Sequence, residues 1–168
     1  GIYGEILGYG VTCDSHHMTA PDTGGSGAVR SMIAAMEDAG VPPERIDYIN
    51  AHGTATQAND LMEAKAIREV FGKRAQLIPV SSTKSMTGHT LGASGALEGV
   101  VSILAIKNGF IPPTVNHRET DPACDLDCVA KGSREQPLSI VLSNSFAFGG
   151  NNTTVVFGRY TEKGVLLE

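Results

Sequence analysis

Three short apolar runs in this chain each end in a polar turn that contains glycine. INAHGTATQAND ends the first run, SSTKSMTGHTLGASG follows LIPV, and SNSFAFGGNN follows SIVL. A short apolar run bounded by turn residues predicts a buried strand. In an open α/β sheet, reactive groups gather at the carboxyl ends of the strands. The pattern therefore predicts one shared site, built from three turns at three strand ends.

The segments around these turns alternate between strand and helix patterns. A strand pattern opens the chain at GEILGYGVTC, and a helix is predicted at about residues 26–39, with Val29, Ile33 and Met36 on one face. DYINA and LIPVS read as short strands, and two closing strands, LSIVLS and NTTVVFG, flank SFAFGG. Alternating strands and helices before a closing strand pair predict an α/β fold with a mixed sheet.

Two further helices are predicted, and they differ in character. At about residues 59–71 the pattern is amphipathic, with Asn59 or Asp60 as N-cap. Its apolar side holds Leu61, Met62, Ala66, Val70 and Phe71, and its water-facing side holds Glu63, Lys65, Arg68 and Glu69. At about residues 91–107 the sequence is apolar or small nearly all round, which favours burial between sheets on both sides. Glu98 in its middle would then need a partner for its charge.

Composition argues against several classes of function. The 168 residues carry a net charge of −5 without a Lys/Arg cluster, which argues against nucleic-acid binding. No apolar stretch reaches the roughly 18 residues of a membrane span, and no signal peptide opens the chain. Cys13, Cys124 and Cys128 are too few for a disulfide scaffold, so a reducing, cytoplasmic location is expected. The chain begins without methionine, which predicts a piece of a longer protein.

His52 and His89 are the candidates for catalytic chemistry, because each lies where a strand ends and a glycine-containing turn begins. Two neutral imidazoles with N–H groups aimed at one point would form an oxyanion site. One such donor is typically worth about 3–4 kcal/mol in the transition state. Lys84 would fix the tautomer of His89 or bias its charge, and threonines in both turns would orient bound groups. A structural role for each histidine is the alternative that the sequence leaves open.

Zinc is the rival ligand for these histidines. No HExxH helix is present, and Cys124 and Cys128 lie in an acidic loop without histidines at ligand spacing. The glycine-containing segments GTATQA and GHTLGASG do not fit the GxGxxG pattern of a dinucleotide site. The sequence therefore predicts neither a metal nor a nucleotide cofactor.

Six motifs in order, NAHGTAT, SSTKSMTGH, GHTLGASGALE, PPTVN, DPACDLD and SNSFAFGGNN, resemble the C-terminal half of a β-ketoacyl-acyl-carrier-protein synthase. The resemblance is to the elongating condensing enzymes of the thiolase superfamily, from type II fatty acid synthesis or a related polyketide system. It implies a thiolase-like fold of two similar α/β halves in a five-layer sandwich. Residues 1–168 would be the C-terminal half, with residues 1–23 as the last strand of the missing half plus a connection.

The resemblance also implies a role for each matching residue. His52 and His89 would stabilise the enolate formed when malonyl carrier protein loses carbon dioxide, and Lys84 would support His89. Phe148 would act as a gate, and its backbone N–H would serve the acyl oxyanion hole. Supporting positions would be Thr54, Thr56, Asp60, Glu98, Asn144 and Gly149.

The family's nucleophile is a cysteine in the missing half, and no cysteine of this chain matches it, so the chain alone is predicted to be inactive. The resemblance implies a full-length homodimer that condenses malonyl carrier protein with an acyl thioester and meets an acidic acyl carrier protein. An exposed apolar face is expected where the missing half would pack. The alternatives are a non-catalytic partner that shapes an acyl pocket, like a chain-length factor, and a thiolase acting on coenzyme A esters.

Overall fold

The computed structural model describes residues 1–162, and a mixed five-stranded sheet lies at its centre. The strands are β1 (Glu5–Cys13), β2 (Tyr48–Asn50), β3 (Val80–Ser81), β4 (Phe110–Ile111), β5 (Arg134–Glu135), β6 (Ile140–Ala147) and β7 (Asn151–Gly158). The helices are α1 (Ser26–Ala39), α2 (Gln57–Phe71), α3 (Lys84–Thr87) and α4 (Ser94–Asn108). The central sheet has the order β1–β7–β6–β2–β3, and β4 pairs with β5 in a separate ribbon. The predicted α/β class with a mixed sheet is confirmed.

Parallel pairing brings the three polar turns to one edge of the sheet. β2 pairs in parallel with both β3 and β6, so that Asn50 lies beside Ser81 on one side and Ser143 on the other. Each of these residues lies at or near the point where its apolar run gives way to the polar turn. The segments after β2 and β3 therefore leave the sheet side by side, whereas β6 continues past Ser143 to Ala147 before its turn, so the predicted third turn begins later than the sequence pattern indicated.

Helices cover both faces of this sheet. Residues of a strand point alternately to its two faces. On β7, Thr154 contacts Ser31 of α1, whereas Phe157 contacts Gly99 of α4, so the two helices lie on opposite faces. The larger apolar cluster lies under α1 and α2, and a smaller cluster around Tyr48 lies under α4.

β1 is one of the two edge strands of the central sheet, and it pairs with β7 in antiparallel fashion from Glu5 to Cys13. Residues 1–23 were expected to belong to a preceding half. The pairing instead builds β1 into the same sheet as the other four strands, because the long β7 offers a partner along the whole strand. Gly8 and Gly10 let α1 approach: a Cβ on Gly10 would lie 2.2 Å from the carbonyl oxygen of Ser31.

α1 begins and ends where the sequence predicted, but one residue of its expected apolar face is misplaced. Val29 and Met36 are buried, whereas Ile33 is 40% exposed. The helix lies against the sheet through Met32 and Ala35, both fully buried, and this rotation turns Ile33 towards solvent. The prediction that Ile33 shares the buried face is wrong.

α2 begins at Gln57, two residues before the predicted start. Its N-cap is Thr56, whose side chain makes no capping hydrogen bond, so neither Asn59 nor Asp60 caps the helix. Glu63 was expected to face water and is instead 3% exposed. The reason is that the helix presents Glu63 to the end of β2, where backbone N–H groups need an acceptor.

α4 is buried on one side only in this chain. A 3₁₀ turn, Leu91–Ala93, precedes it, and its buried side carries Glu98, Ser102, Ala105 and Ile106. The other side exposes apolar residues: Leu97, Val100 and Leu104 are 43%, 56% and 40% accessible. The prediction of sheets on both sides is therefore not met within the described residues, where one sheet packs on α4. The expected exposed apolar face is present.

None of the described helices combines the length and the apolar character that a membrane crossing requires.

The close packing of β1 on α1 gives a test of the fold. Gly10→Ala will lower the free energy of unfolding by about 1–3 kcal/mol, because the new methyl group overlaps backbone atoms of α1 that cannot move aside. Gly92→Ala is the matched control, since a Cβ there meets no atom within 4 Å. Urea unfolding measures both. Equal stability of the two variants would contradict the packing of β1 described above.

Candidate active site

The structure brings together His52, which follows β2 directly, and His89, which was expected at a strand end and instead follows the short helix α3. Their ring centroids lie 5.5 Å apart, with the ring planes at 85° to each other. His52 also packs against Phe146 of β6, at 5.6 Å between centroids. The three segments that the sequence singled out thus contribute side chains to one place, the third of them from strand β6 and not from its turn.

His52 is held in its neutral form. The side chain is 7% exposed, and burial, together with the charge of Lys84 and the neighbouring His89, lowers its pKa to about 3. Nδ1 of His52 is buried without a hydrogen-bond partner among the described residues. A neutral imidazole has one N–H to donate and one nitrogen to accept. His52 can therefore serve as a hydrogen-bond donor to a bound oxygen near neutral pH.

Lys84 forms a buried ion pair with Glu98 of α4. Burial raises the pKa of Glu98, and the hydrogen bond and charge of Lys84 oppose that rise. The sequence suggested that Lys84 fixes the tautomer of His89 or biases its charge. The described hydrogen bonds of Nδ1 of His89 instead join it to the hydroxyl of Ser94, at 2.9 Å, and to the backbone N–H of Leu91, at 3.2 Å. Lys84 acts on the site through its charge, which reaches His52.

Glu63 is the site residue that the sequence analysis missed. Its Oε1 accepts hydrogen bonds from the backbone N–H of His52 at 2.9 Å and from Nδ2 of Asn144 at 3.1 Å. Its Oε2 accepts from the backbone N–H of Gly53 at 2.9 Å and from Nδ2 of Asn59 at 3.3 Å. Burial raises its pKa, and these four donors oppose the rise. The carboxylate therefore fixes the turn that carries His52.

A signal for Glu63 was present in the sequence. Apolar residues surround it on α2, with Met62 and Ala64 beside it and Ala66 and Ile67 one turn later, and all four are buried. A single carboxylate within such a run is expected to meet hydrogen-bond donors, because burying an unpaired charge is costly. The spacing predicts an amphipathic helix, and the prediction that Glu63 lies on its water-facing side is wrong.

Asn144, which the resemblance predicts as a supporting residue, hydrogen-bonds with Glu63. It is fully buried on β6, and its Oδ1 accepts a hydrogen bond from Thr154 of β7 at 2.9 Å. This bond orients the amide so that Nδ2 faces Glu63. Thr54 and Thr56 share a hydrogen bond of 2.8 Å, and Asp60 accepts one from Asn59 at 3.0 Å.

Phe148 and Gly149 lie in the turn between β6 and β7, away from the histidine pair. Phe148 is 76% exposed, and it is not among the residues that line the cavity described below. Gly149 adopts a φ of 81°, and its N–H donates to the carbonyl oxygen of Met18 at 2.7 Å. In this chain, the structure does not bring Phe148 into contact with His52 or His89 through any described hydrogen bond or ring contact.

A cavity of about 650 Å³ lies beside His89, between α2, the end of β3 and the loop at residues 114–128, and His52 is not among the residues that line it. Lys84, His89 and Glu63 line one part of it, and Cys124 and Cys128 line another. Burial and neighbouring carboxylates raise the pKa of both thiols. Among residues 1–162, no group of three or more His, Cys, Asp or Glu side chains is placed to hold a metal ion.

Residues 3–118 match the family model for the β-ketoacyl synthase C-terminal domain. The chain belongs to the β-ketoacyl synthase family. The matched residues include both histidine turns. The family and the predicted thiolase-like half are thereby confirmed.

Curated relatives of this chain share about half of its residues. A 3-oxoacyl-[acyl-carrier-protein] synthase 2 of Synechocystis sp. is 52% identical over 159 residues, which are 95% of this chain and 38% of the relative. The synthase of the same name from Coxiella burnetii is 53% identical over 94% of this chain and 38% of its own length. The chain thus spans about two fifths of the relatives it matches.

Solved ketosynthase structures superimpose closely. The ishigamide ketosynthase/chain length factor is 48% identical with a TM-score of 0.91, over 96% of this chain and 39% of that one. A type II polyketide synthase acyl-carrier protein in complex with its ketosynthase gives 37% identity and a TM-score of 0.93, over 96% and 40%. The fold is therefore that of one half of these ketosynthases.

The four hydrogen bonds to Glu63 predict a large effect of a small change. Glu63→Gln will lower the free energy of unfolding by about 2–3 kcal/mol, because an amide group must then face backbone and asparagine N–H donors. Glu69→Gln, at an exposed position of the same helix, should change it by less than about 0.5 kcal/mol. Urea unfolding measures both, and similar values for the two would contradict the buried position of Glu63.

The neutral state of His52 predicts how stability depends on pH. The pKa of His52 is about 3 in the folded chain against an ordinary value of 6.5, so its contribution to stability is complete above pH 6.5 and is lost as pH falls towards about 3. Between about pH 7 and about pH 4, His52→Gln should lose about 3 kcal/mol less stability than the unmodified protein. Urea unfolding at both pH values measures this. Identical losses would show that His52 is not held neutral.

Proposed function

We propose that this chain is the C-terminal half of a 3-oxoacyl-[acyl-carrier-protein] synthase and carries the part of the site that decarboxylates malonyl carrier protein. The observation that carries the proposal is the pair of imidazoles 5.5 Å apart at adjoining strand ends. The 52–53% identical relatives that bear this enzyme name support it. In this proposal residues 1–168 act as one half-domain.

The two histidines suit the chemistry of decarboxylation. The bond between the carboxylate carbon and the α-carbon of the malonyl group breaks, carbon dioxide leaves, and the electron pair passes into an enolate. Its negative oxygen is stabilised by N–H donors of His52 and His89, which are most effective when the rings are neutral and fixed beforehand. The low pKa of His52 supports this role, since the ring is neutral near pH 7 and keeps one N–H for the bound oxygen.

The carbon–carbon bond then forms by a Claisen condensation. The enolate carbon attacks the carbonyl carbon of an acyl thioester, and the cysteine thiolate leaves with the electron pair of the carbon–sulfur bond. The ammonium group of Lys84, which is paired with Glu98, places a positive charge near His52, and this charge disfavours protonation of the ring. Glu63 holds the His52 turn in place through the backbone.

The nucleophilic cysteine is proposed to lie in the remaining part of the full-length enzyme. Cys124 and Cys128 line the cavity, but burial raises the pKa of both thiols, and a thiolate is the reactive form. Cys13 lies on β1, where its Sγ approaches the carbonyl oxygen of Gly149 at 3.5 Å. These positions support the expectation that this chain alone is inactive in condensation.

The missing half is proposed to cover the exposed apolar side of α4 and the neighbouring face of β1. Besides Leu97, Val100 and Leu104, this surface includes Ile6, Tyr9 and Val11, which are 68%, 63% and 61% exposed. Apolar surface of this extent is typical of an interface.

An acyl carrier protein is the proposed substrate carrier, supported by the related ketosynthase solved with its acyl-carrier protein. The full-length enzyme is proposed to be a cytoplasmic homodimer.

The experiment that tests this function is His89→Ala in the full-length protein. Loss of one enolate donor should reduce malonyl decarboxylation by about 100-fold or more. His16→Ala, at an exposed loop position, is the matched control and should retain activity. Carbon dioxide release from malonyl carrier protein is the measurement. Unchanged release in His89→Ala would sink the catalytic assignment and favour a non-catalytic partner that shapes an acyl pocket.

A further inference from the structure

Ser82 joins the turn that carries His52 to the segment that carries Lys84 and His89. Its hydroxyl lies 2.6 Å from the carbonyl oxygen of Gly53, the residue after His52. A carbonyl oxygen can only accept, so the hydroxyl of Ser82 donates this hydrogen bond. Ser82 is 8% exposed, and the sequence analysis assigned it no role.

The bond from Ser82 to Gly53 continues the connection between β2 and β3 past the end of their pairing. The last backbone bond between them runs from the N–H of Ala51 to the carbonyl oxygen of Ser81, at 2.9 Å. Within residues 1–162, the bond from Ser82 is the only described hydrogen bond that joins the turn after β2 to the segment between β3 and α4. The relative position of the two segments therefore depends on this hydroxyl.

The backbone at Gly53 allows Ser82 to approach closely. A Cβ on Gly53 would lie 2.5 Å from the Cβ of Ser82, which is closer than a side chain can tolerate without a shift. The φ of Gly53 is 41°, a value that favours glycine. The two segments are therefore in direct contact at this point, and the hydrogen bond fixes their separation.

Glu63 and Ser82 bind opposite sides of Gly53. Glu63 accepts from the backbone N–H groups of His52 and Gly53, which ties the turn to α2. These two bonds do not reach the segment after β3, so they do not specify how far that segment lies from the turn. Ser82 supplies this connection, because it binds the carbonyl group of Gly53.

The backbone of Ser82 is anchored independently of its side chain. Its N–H donates to Oγ1 of Thr114 at 3.1 Å, and its carbonyl oxygen accepts from Oγ of Ser85 at 2.7 Å. Removal of the Ser82 hydroxyl therefore leaves these two bonds in place and breaks the link to Gly53. The side chain can thus be tested separately from the local fold.

We propose that Ser82 is a positioning residue that sets the distance between His52 and His89. The inference rests on the proposed function in one respect, namely that both rings act on the same enolate oxygen. Two donors can share one oxygen only if their separation is fixed, and here the ring centroids lie 5.5 Å apart. A misplacement of about 1 Å at a reacting group can cost about 100-fold in rate.

The test is Ser82→Ala in the full-length protein. Two quantities are measured: the nuclear Overhauser effect between the ring protons of His52 and His89, and kcat and KM for decarboxylation of malonyl carrier protein. The effect between the rings should weaken. The value of kcat should fall by about tenfold, with a smaller change in KM, because the rings shift by less than about 1 Å and still bind the substrate.

Thr12→Val is the matched control. Oγ1 of Thr12 donates to the carbonyl oxygen of Gly27 at 2.7 Å, so this variant also loses a bond from a hydroxyl to a glycine carbonyl. Thr12 lies on β1, which two strands separate from β2 in the sheet. Both the effect between the rings and kcat should therefore be unchanged.

A second comparison separates positioning from stability. In a His52→Ala background, Ser82→Ala should lower the remaining kcat no further, because the hydroxyl acts through His52. A hydroxyl that only stabilises the fold would lower kcat by the same factor in both backgrounds, and that result would overturn the proposal.

Two other results would also overturn it: an unchanged effect between the rings in Ser82→Ala, or an unchanged kcat in this variant while His89→Ala loses activity. Failure of the proposed function has a separate signature. In that case, the effect between the rings still weakens in Ser82→Ala, but neither this variant nor His89→Ala alters decarboxylation.

Discussion

The buried carboxylate of Glu63 is the contact on which the rest of the site depends. It joins three elements that are far apart in sequence, because its oxygens accept from the turn after β2, from α2 itself and from β6. A buried charge without such partners would cost several kcal/mol. The requirement therefore works in both directions: Glu63 orients the His52 turn, and the N–H groups of that turn make a carboxylate at this position tolerable.

A second carboxylate, Glu98, complements the first with a different partner. Glu63 is surrounded by neutral N–H donors, whereas Glu98 is paired with the charge of Lys84. The two acids lie on different helices, α2 and α4, which anchor the site from both sides. Between them the imidazole of His52 is kept neutral by burial and by the nearby positive charge. Two buried acids therefore flank one buried imidazole that is held neutral.

The sequence predicted the elements that depend on local patterns better than it predicted which elements pack against each other. The strands and the ends of α1 follow from local patterns of apolar residues, turns and glycines, and these were predicted well. The burial of α4 was overestimated because its apolar side faces outward in this chain, where Leu97 and Val100 are exposed. β1 was expected to belong to the preceding half, because a strand pattern does not specify the strand with which it pairs. The structure shows that β1 pairs with β7.

The sequence by itself determined the fold class, the strand-end turns and the two histidines, because periodicity and turn chemistry are local properties. Only the tertiary structure decided which side chains support them. Lys84 forms its described ion pair with Glu98, while Nδ1 of His89 is hydrogen-bonded with Ser94 and with the backbone N–H of Leu91. Glu63 was expected in water and is buried against His52 and Gly53. The physical reason is that hydrogen-bond partners are selected by distance and direction in the folded chain, which the spacing of residues along the sequence does not specify.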